Sequence, residues 1–444
     1  MDAMKGNPAV TLVISDLRMG GSQSVISRIA NDLAGEGCEV HVLTLASSHE
    51  PFYPLHDTVV VTNLGVSGNS TSLLHALTNN FRRVLALRRA LPMRSAVVLA
   101  FGDKTNIVTL LASRGTGIPV VVSERSTPFL YPLGWSWKIL RRLLYPRAAS
   151  VVVLNERCGE FFPWLRSTLR VIPNPVNAGQ LTGDNVREPV ILAVGRLVRL
   201  KGYDLLVRAF HRIHKDIPEW NVHIVGEGEA RVELEALIRE LGLEGRVFLK
   251  GETRDPHGAM SRASVFALPS RIEAFPNALC EAMACGMAVV AADCKTGPRE
   301  IITNGSDGVL VPPEDVEALA ASLLDLARDP AKRRAFGDAA TQVAQRYAPA
   351  KVFAQWRDTL SEAAPIMGAP RGKKILVVIP SLSRGGAERV VSRLTLEWEK
   401  ENRVTIAVFN GDSRAYPHGG RLVDLQAFAP RGFLRKAIAA FRRI

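Results

Sequence analysis

Short apolar, β-branched runs alternate with helix-length segments along this chain of 444 residues, and that alternation restricts its fold more than any other feature. The runs "VTLVI" (10–14), "EVHVLTL" (39–45), "AVVLAF" (96–101), "PVVVS" (119–123) and "SVVVL" (150–154) are short and rich in β-branched residues, most of them nearly continuous in apolar character. Strands of that kind are buried on both faces, as in a parallel sheet with helices on each side. Segments 22–36, 72–91, 104–113 and 134–146 have the length of the crossovers such a sheet needs. The pattern pauses in the Pro/Gly/Asn-rich "PNPVNAGQLTGDNVREP" (173–189) and then resumes. Its second round offers strands at 190–194, 221–225, 246–250, 264–268 and 287–292, then a helical stretch, 314–363, that would close the unit. The expectation is an α/β protein with two doubly wound domains joined by a linker.

A repeat adds a third segment. "VISDLRMGGSQSVISRI" (13–29) returns as "VIPSLSRGGAERVVSRL" (378–394), with eight identities in seventeen positions. A strand, a Gly-Gly loop (Gly20–Gly21, Gly385–Gly386) and an amphipathic helix are therefore encoded twice. The expected domains are 1–177, 178–368 with its closing helices, and 369–444 as a partial second copy of the first.

Charge narrows the partners. The net +13 divides into +7 over residues 1–177, −3 over 178–368 and +9 over 369–444. Such an excess suits anionic lipid or phosphorylated substrates. Nucleic acid is not expected, because no helix-turn-helix, zinc-finger or aromatic-plus-basic RNA signature accompanies the charge. Five scattered cysteines (Cys38, Cys158, Cys280, Cys285, Cys294) form no CxxC pair, which points to a reducing compartment without a zinc site. The first apolar run is too short for a signal-peptide core, and no stretch approaches the roughly eighteen apolar residues of a spanning helix. A cytoplasmic protein is expected.

The motifs sit where strands pass into helices. Gly20 and Gly21 suit close approach of backbone to a phosphate, or simply tight strand–helix packing. "AVGRLVRLKGYDLLVRAF" (193–210) puts Gly195, Arg196 and Lys201 directly after a strand, where a guanidinium and an ammonium suit a diphosphate. The plainer alternative is solvated charge on a loop. Gly226 and Gly228 repeat the strand–glycine–helix device, and "LKGE" (249–252), with Gly251, offers a strand end whose backbone could pair with a base. In "SRIEAFPNALCEAMACGMAVVAAD" (270–293), Pro276 suits the first helical position. The amides of Ala274, Phe275 and Asn277 would then face a crevice. Glu273 and Glu281 could each accept two hydroxyls from a vicinal diol. Equally, they could be a dipole-favoured helix-start glutamate and an ion-pair partner.

Taken together and in this order, the Gly-Gly loop, "GRLVRLKG", "GEGEAR", the Glu-x7-Glu block, "GPREII" and "DGVLVPPED" resemble family 4 glycosyltransferases over about residues 9–364. The resemblance implies the GT-B fold, with two Rossmann-like domains facing a cleft, the first for acceptor and the second for a nucleotide-sugar donor. It implies a retaining transferase taking a sugar from a nucleoside diphosphate, UDP being the expected one. "AFGDKTNIVTLLAS" (100–113) and "VVVSERSTP" (120–128) resemble the branch that builds surface polysaccharides on lipid carriers. By the same resemblance, Arg196, Lys201 and Glu273 would be catalytic, the first two on the leaving diphosphate. Glu281 would take the ribose. Gly20, Gly21, Gly195, Gly226, Gly251 and the stretch Ala274, Phe275, Pro276 and Asn277 would complete the donor site. Asp103, Asn106, Glu124 and Arg125 would lie toward the acceptor. Many relatives carry a histidine near the end of the fourth strand of the first domain; here that strand ends Ser123-Glu124-Arg125, which leaves its substitute open. No metal or other cofactor is expected, in keeping with the lack of an Asp-x-Asp motif. A nucleotide-sugar epimerase, a phosphorylase or a non-catalytic nucleotide-sugar-binding protein are the alternatives.

One helix suggests a further partner. "LGWSWKILRRLLYPR" (133–147) interleaves aromatic and aliphatic residues with Lys138, Arg141, Arg142 and Arg147, as does "GFLRKAIAAFRRI" (432–444). On an ideal helix Lys138, Arg141, Arg142 and Tyr145 share one side. Such a helix suits the headgroup region of an anionic leaflet, and peripheral attachment to the inner face of the cell membrane is expected. An ordinary surface helix is the alternative.

Overall fold

The computed structural model describes residues 8–47, 50–68, 73–129, 133–165, 167–178, 187–253, 255–364, 374–382, 386–400, 402–414 and 417–424. The chain divides into two compact units, Met1–Ala363 and Ala364–Ile444.

The first unit contains two parallel sheets. One is built from β1 (Ala9–Ile14), β2 (Glu39–Thr44), β3 (Val60–Asn63), β4 (Val97–Phe101), β5 (Val120–Ser123), β6 (Ser150–Val153) and β7 (Leu169–Val171), in the order β3-β2-β1-β4-β5-β6-β7. The other comprises β8 (Glu188–Val194), β9 (Asn221–Val225), β10 (Val247–Leu249), β11 (Ala263–Leu268), β12 (Ala288–Ala292) and β13 (Val309–Val311), in the order β10-β9-β8-β11-β12-β13. Each sheet reverses its winding once, between β1 and β4 and between β8 and β11. At such a switch point the crossovers leave in opposite directions and open a crevice beyond the carboxyl ends of the strands. The loops after β1 and β8 carry Gly20–Gly21 and Gly195–Lys201, so both glycine-bearing loops lie at switch points.

β1, β4, β5, β6, β11 and β12 are buried along their whole length, as their unbroken apolar runs predict. The strands that the apolar pattern does not announce, β3, β7 and β13, are three or four residues long and sit at or near sheet edges. An edge strand need not be apolar on both sides, so its sequence carries little of the pattern. The helix after β1, Gly21–Gly35, buries Val25, Ile26, Ile29, Ala30 and Leu33, one stripe at helical spacing.

The stretch 314–363 does not act as one closing element. Helices Val316–Arg328 and Pro330–Ala340, capped by Asp315 and Asp329, pack with the second sheet. Helix Pro349–Ala363 instead crosses back to the first sheet, where Trp356 is fully buried with its ring 5.7 Å from Phe101. Arg357 pairs there with Asp32 at 2.6 Å. The buried side of this helix carries Val352, Trp356, Thr359 and Leu360, one stripe at helical spacing.

In the second unit, β14 (Lys374–Leu382), helix Gly386–Trp398, β15 (Arg403–Arg414) and β16 (Arg421–Asp424) form a parallel sheet in the order β14-β15-β16 around Ile379, Val404, Ile406 and Val408. The first sheet opens with the same succession, β1, helix, β2, β3. Gly385, the basic stretch 432–444 and residues 179–186 of the linker lie outside the described residues.

Candidate active site

The site begins with glycines. Gly195 leaves β8 at φ +152° and donates its N–H to the Val225 carbonyl at 2.9 Å. A Cβ on Gly226 would come within 2.0 Å of the Gly195 oxygen, and one on Gly228 within 2.3 Å of the Leu197 oxygen. Two loops thus cross in direct backbone contact, which fixes the path of Arg196 to Lys201. Gly251 joins by accepting from the Gly226 N–H at 2.8 Å. Behind it lies a cavity of about 440 Å³ lined in part by His223, Lys250, Gly251 and Glu252.

The turn Arg199–Lys201 ends in Gly202 at φ +67°, and Lys201 Nζ then meets Glu273 Oε1 at 2.7 Å. Glu273 is 7% exposed, and its Oε1 also accepts from Ser270 Oγ at 2.7 Å. Lys201 and Glu273, expected to hold diphosphate and sugar, are therefore in direct contact. Arg196 is exposed and has no carboxylate partner among the described residues. Its uncompensated charge is available to an anion. Sequence reasoning missed Arg271, which holds the loop from outside: it donates to both Asp204 carboxylate oxygens at 2.8 Å and to the Arg199 carbonyl at 2.8 Å.

Pro276 occupies the position just before helix Asn277–Ala284, one residue earlier than the proline spacing predicts. Glu281 lies one turn inside, partly buried. Burial raises its carboxyl, while His257 and the Arg28 guanidinium pull it back. Thr296 Oγ1 donates to the Glu273 carbonyl and Asn155 Nδ2 to the Ala274 carbonyl at 2.7 Å. Among the described residues neither the Ala274 nor the Phe275 N–H has an acceptor.

The first domain meets this loop directly. A Cβ on Gly21 would touch Asn277 Nδ2 at 3.0 Å, whereas one on Gly20 would meet only the tip of Gln23. Asn174 Nδ2 donates to Asn277 Oδ1 at 2.6 Å, and Asn174 in turn accepts from Arg125. Arg125 rests on the Phe101 ring at 4.8 Å, and burial lowers its guanidinium to about 9. Of Ser123, Glu124 and Arg125, at and just past the end of β5, Arg125 is thus the one that reaches, through Asn174, toward Asn277.

Asn106 and Glu124 are placed differently. Both are buried beneath helix Trp135–Leu144, where Tyr145 donates to Glu124 and Asn106 Nδ2 donates to Tyr145 Oη at 3.1 Å. Asp103 begins the helix containing Asn106 and is partly buried. Burial and the nearby Asp103 push the Glu124 carboxyl up to about 7, against Arg141 and the Tyr145 hydroxyl. The folded state therefore holds this proton more tightly than the unfolded chain. The stability this contributes is present at acidic pH and is lost as pH rises from the ordinary carboxylate range through about 7. Wild type should lose thermal stability between about pH 5 and pH 8 more steeply than Glu124→Gln, whose amide oxygen still serves Tyr145. Parallel melting curves for the two proteins across that range would exclude Glu124 as the source.

Two parallel α/β sheets with facing glycine-bearing loops define the GT-B architecture, and solved structures share it. Anabaena HepE in complex with UDP and glucose superposes with a TM-score of 0.67 at 20% identity, over 79% of this chain and 99% of that one. Sucrose-phosphate synthase from Thermosynechococcus elongatus does so with a TM-score of 0.70 at 20% identity, over 79% and 98%. The chain belongs to the glycosyltransferases: the glycosyl transferases group 1 family matches residues 181–343, and the glycosyl transferase 4-like domain matches residues 20–175. It is 27% identical over 361 residues to a Campylobacter jejuni enzyme described as GalNAc-alpha-(1->4)-GalNAc-alpha-(1->3)-diNAcBac-PP-undecaprenol alpha-1,4-N-acetyl-D-galactosaminyltransferase, covering 80% of this chain and 98% of the relative. A second Campylobacter jejuni enzyme, an N-acetylgalactosamine-N,N'-diacetylbacillosaminyl-diphospho-undecaprenol 4-alpha-N-acetylgalactosaminyltransferase, is 30% identical over 57% of this chain and 72% of its own length.

Proposed function

We propose that this glycosyltransferase moves a sugar, with retention, from a UDP-sugar to a lipid-linked or polysaccharide acceptor in cell-surface polysaccharide synthesis. The observation that carries the reading is one cluster: Lys201 on Glu273, with two amides beside them and Arg196 nearby that have no acceptor or counter-charge among the described residues. An acceptor hydroxyl attacks the anomeric carbon on the face the diphosphate leaves. The bond from that carbon to the phosphate oxygen breaks, and the hydroxyl proton passes to the departing phosphate. Arg196 and Lys201 stabilise the charge that develops there, and charge arranged in advance in this way is usually what lowers a barrier most. The UDP assignment is supported by the UDP bound in HepE, and the acceptor class by the lipid-diphosphate acceptors named for the Campylobacter enzymes. No metal is assigned a role. A panel of UDP- and GDP-sugars assayed in EDTA tests this: UDP should be released with an α-linked product. No release from any donor would leave a non-catalytic binder, and activity that only magnesium restores would overturn the metal-free reading.

We further propose attachment to an anionic membrane surface through helix Trp135–Leu144. The exposed face differs from the one an ideal helix suggests. Arg141 and Tyr145 turn inward to Glu124, while Trp135, Ile139 and Leu143 are 77%, 50% and 56% exposed. They form a stripe at fourfold spacing beside exposed Lys138, Arg142 and Arg147. Among the described residues no helix is long and apolar enough to cross a membrane. Each cation near an anionic surface is worth about 1 kcal/mol. Replacing Lys138, Arg142 and Arg147 by Glu should release the protein from liposomes containing anionic lipid, and salt should do the same to wild type. Equal sedimentation with neutral and anionic vesicles would end the idea.

A further inference from the structure

Asn155 follows β6 in the first domain, yet its side chain ends in the second. It is 6% exposed and uses both ends of its amide. Oδ1 accepts from the Cys158 N–H at 2.8 Å and caps helix Glu156–Glu160, while Nδ2 donates to the Ala274 carbonyl at 2.7 Å. In a trans peptide the carbonyl of one residue and the N–H of the next point opposite ways and turn together. Fixing the Ala274 oxygen therefore fixes the Phe275 N–H. The preceding peptide is held in the same manner, since Thr296 donates to the Glu273 carbonyl. Two successive peptide planes are locked by side chains, and both of their N–H groups lack acceptors among the described residues. A buried backbone donor held in place without a partner costs free energy unless a ligand supplies an acceptor.

Charge says which part of a ligand that is. Glu273 sits one residue before Ala274 and repels an anion, whereas Arg196 and Lys201 already attract one. A neutral donor beside a carboxylate that accepts fits a hydroxyl-bearing group. We propose that Asn155 is a positioning residue for the donor: it aims the Phe275 N–H at an oxygen of the transferred sugar, and only while the two domains are closed on one another. This rests on the nucleotide-sugar reading given above. Thr296 belongs to the second domain and acts whatever the first domain does; Asn155 makes the second peptide conditional on closure.

Asn155→Asp is the informative substitution. It keeps the oxygen that caps helix Glu156–Glu160 but puts a second oxygen against the Ala274 carbonyl. Asn155→Ser keeps a capping oxygen, is too short to reach Ala274, and adds no charge. For both variants UDP affinity by calorimetry should stay within about twofold of wild type, while kcat/KM for the UDP-sugar that turns over should fall about tenfold to hundredfold. Unchanged kcat/KM, or an equal loss of UDP affinity, would overturn the assignment. Hydrogen exchange on wild type gives a reading independent of variant folding. The Phe275 amide should gain protection with the UDP-sugar and not with UDP, and equal protection by the two also overturns it. If wild type itself neither binds UDP nor releases it from any donor, the functional reading fails and not the role of Asn155 within it.

Discussion

Lys201→Ala should lower kcat by about hundredfold to thousandfold, about 2.7–4 kcal/mol of barrier, by comparison with the loss of a single charged or polar donor at other reaction centres. Arg196→Ala should fall in the same range. The two losses should differ in character. Arg196 is exposed and has no carboxylate partner among the described residues, so its removal costs only what it does for the departing phosphate, and the melting temperature should hold. Lys201 is bound to a buried carboxylate, and its removal leaves Glu273 with Ser270 alone on that oxygen. A buried carboxylate stripped of its cation destabilises the loop as well, so Lys201→Ala should also melt earlier. Lys201→Arg should recover stability but little turnover, because a planar guanidinium cannot reproduce a point charge in that place. Steady-state kinetics with saturating donor decides the matter. Wild-type turnover in either alanine variant would remove these residues from the chemistry.

Gly202→Ala and Gly226→Ala should be the most damaging single-atom additions in the second domain. At Gly202 the new Cβ lies 2.1 Å from the Pro269 oxygen and the backbone sits at φ +67°. At Gly226 it lies 2.0 Å from the Gly195 oxygen at φ +144°. Both contacts are with backbone, which cannot swing aside like the end of a side chain. Left-handed backbone alone costs roughly 1–2 kcal/mol for a residue with a Cβ, and forced repacking adds typically about 1–3 kcal/mol. Gly242→Ala separates the two costs, since Gly242 has φ +63° but nothing within 4 Å of its Cβ position. Thermal midpoints should therefore rank wild type above Gly242→Ala, and that variant clearly above the other two. Turnover should collapse for Gly202→Ala and Gly226→Ala even below their melting points, because Gly226 packs on Gly195 at the start of the Arg196–Lys201 segment and Gly202 ends it. If all three variants melt together, backbone contact is not what these glycines provide.

How much of the molecule is readable in its sequence follows from where each residue's partners lie. Strands buried on both faces announce themselves locally, so β1, β4, β5, β6, β11 and β12 are legible, while the edge strands β3, β7 and β13 are not. The motifs that meet around Lys201 and Glu273 are legible because glycine, charge and proline fall at strand ends within a few residues of each other. Arg271 is not, since its partners Asp204 and the Arg199 carbonyl are 67 and 72 residues away. Asn155 and Asn174 reach across 119 and 103 residues, and an asparagine after a strand reads as a helix cap and nothing more. The helix Trp135–Leu144 is legible as amphipathic, but its rotation is not. A helical wheel ranks Arg141 with the other cations, whereas a buried acid on a neighbouring strand end, Glu124, draws that one arginine inward.

The return of helix Pro349–Ala363 to the first sheet makes that domain discontinuous in the chain, and this dictates an order of events during synthesis. Asp32 and Arg357 are 325 residues apart, and the Phe101 ring must likewise wait for Trp356. A ribosome delivers the N-terminal strands well before the helix that covers them. Until then the face around Phe101 stays open to water or to a chaperone. The second domain must be made, and its helices Val316–Arg328 and Pro330–Ala340 laid down, before the first can be sealed. A nascent chain stopped short of residue 349 should therefore carry a nearly complete first sheet with a wet seam, and its resistance to protease should appear only once that last helix has left the exit tunnel.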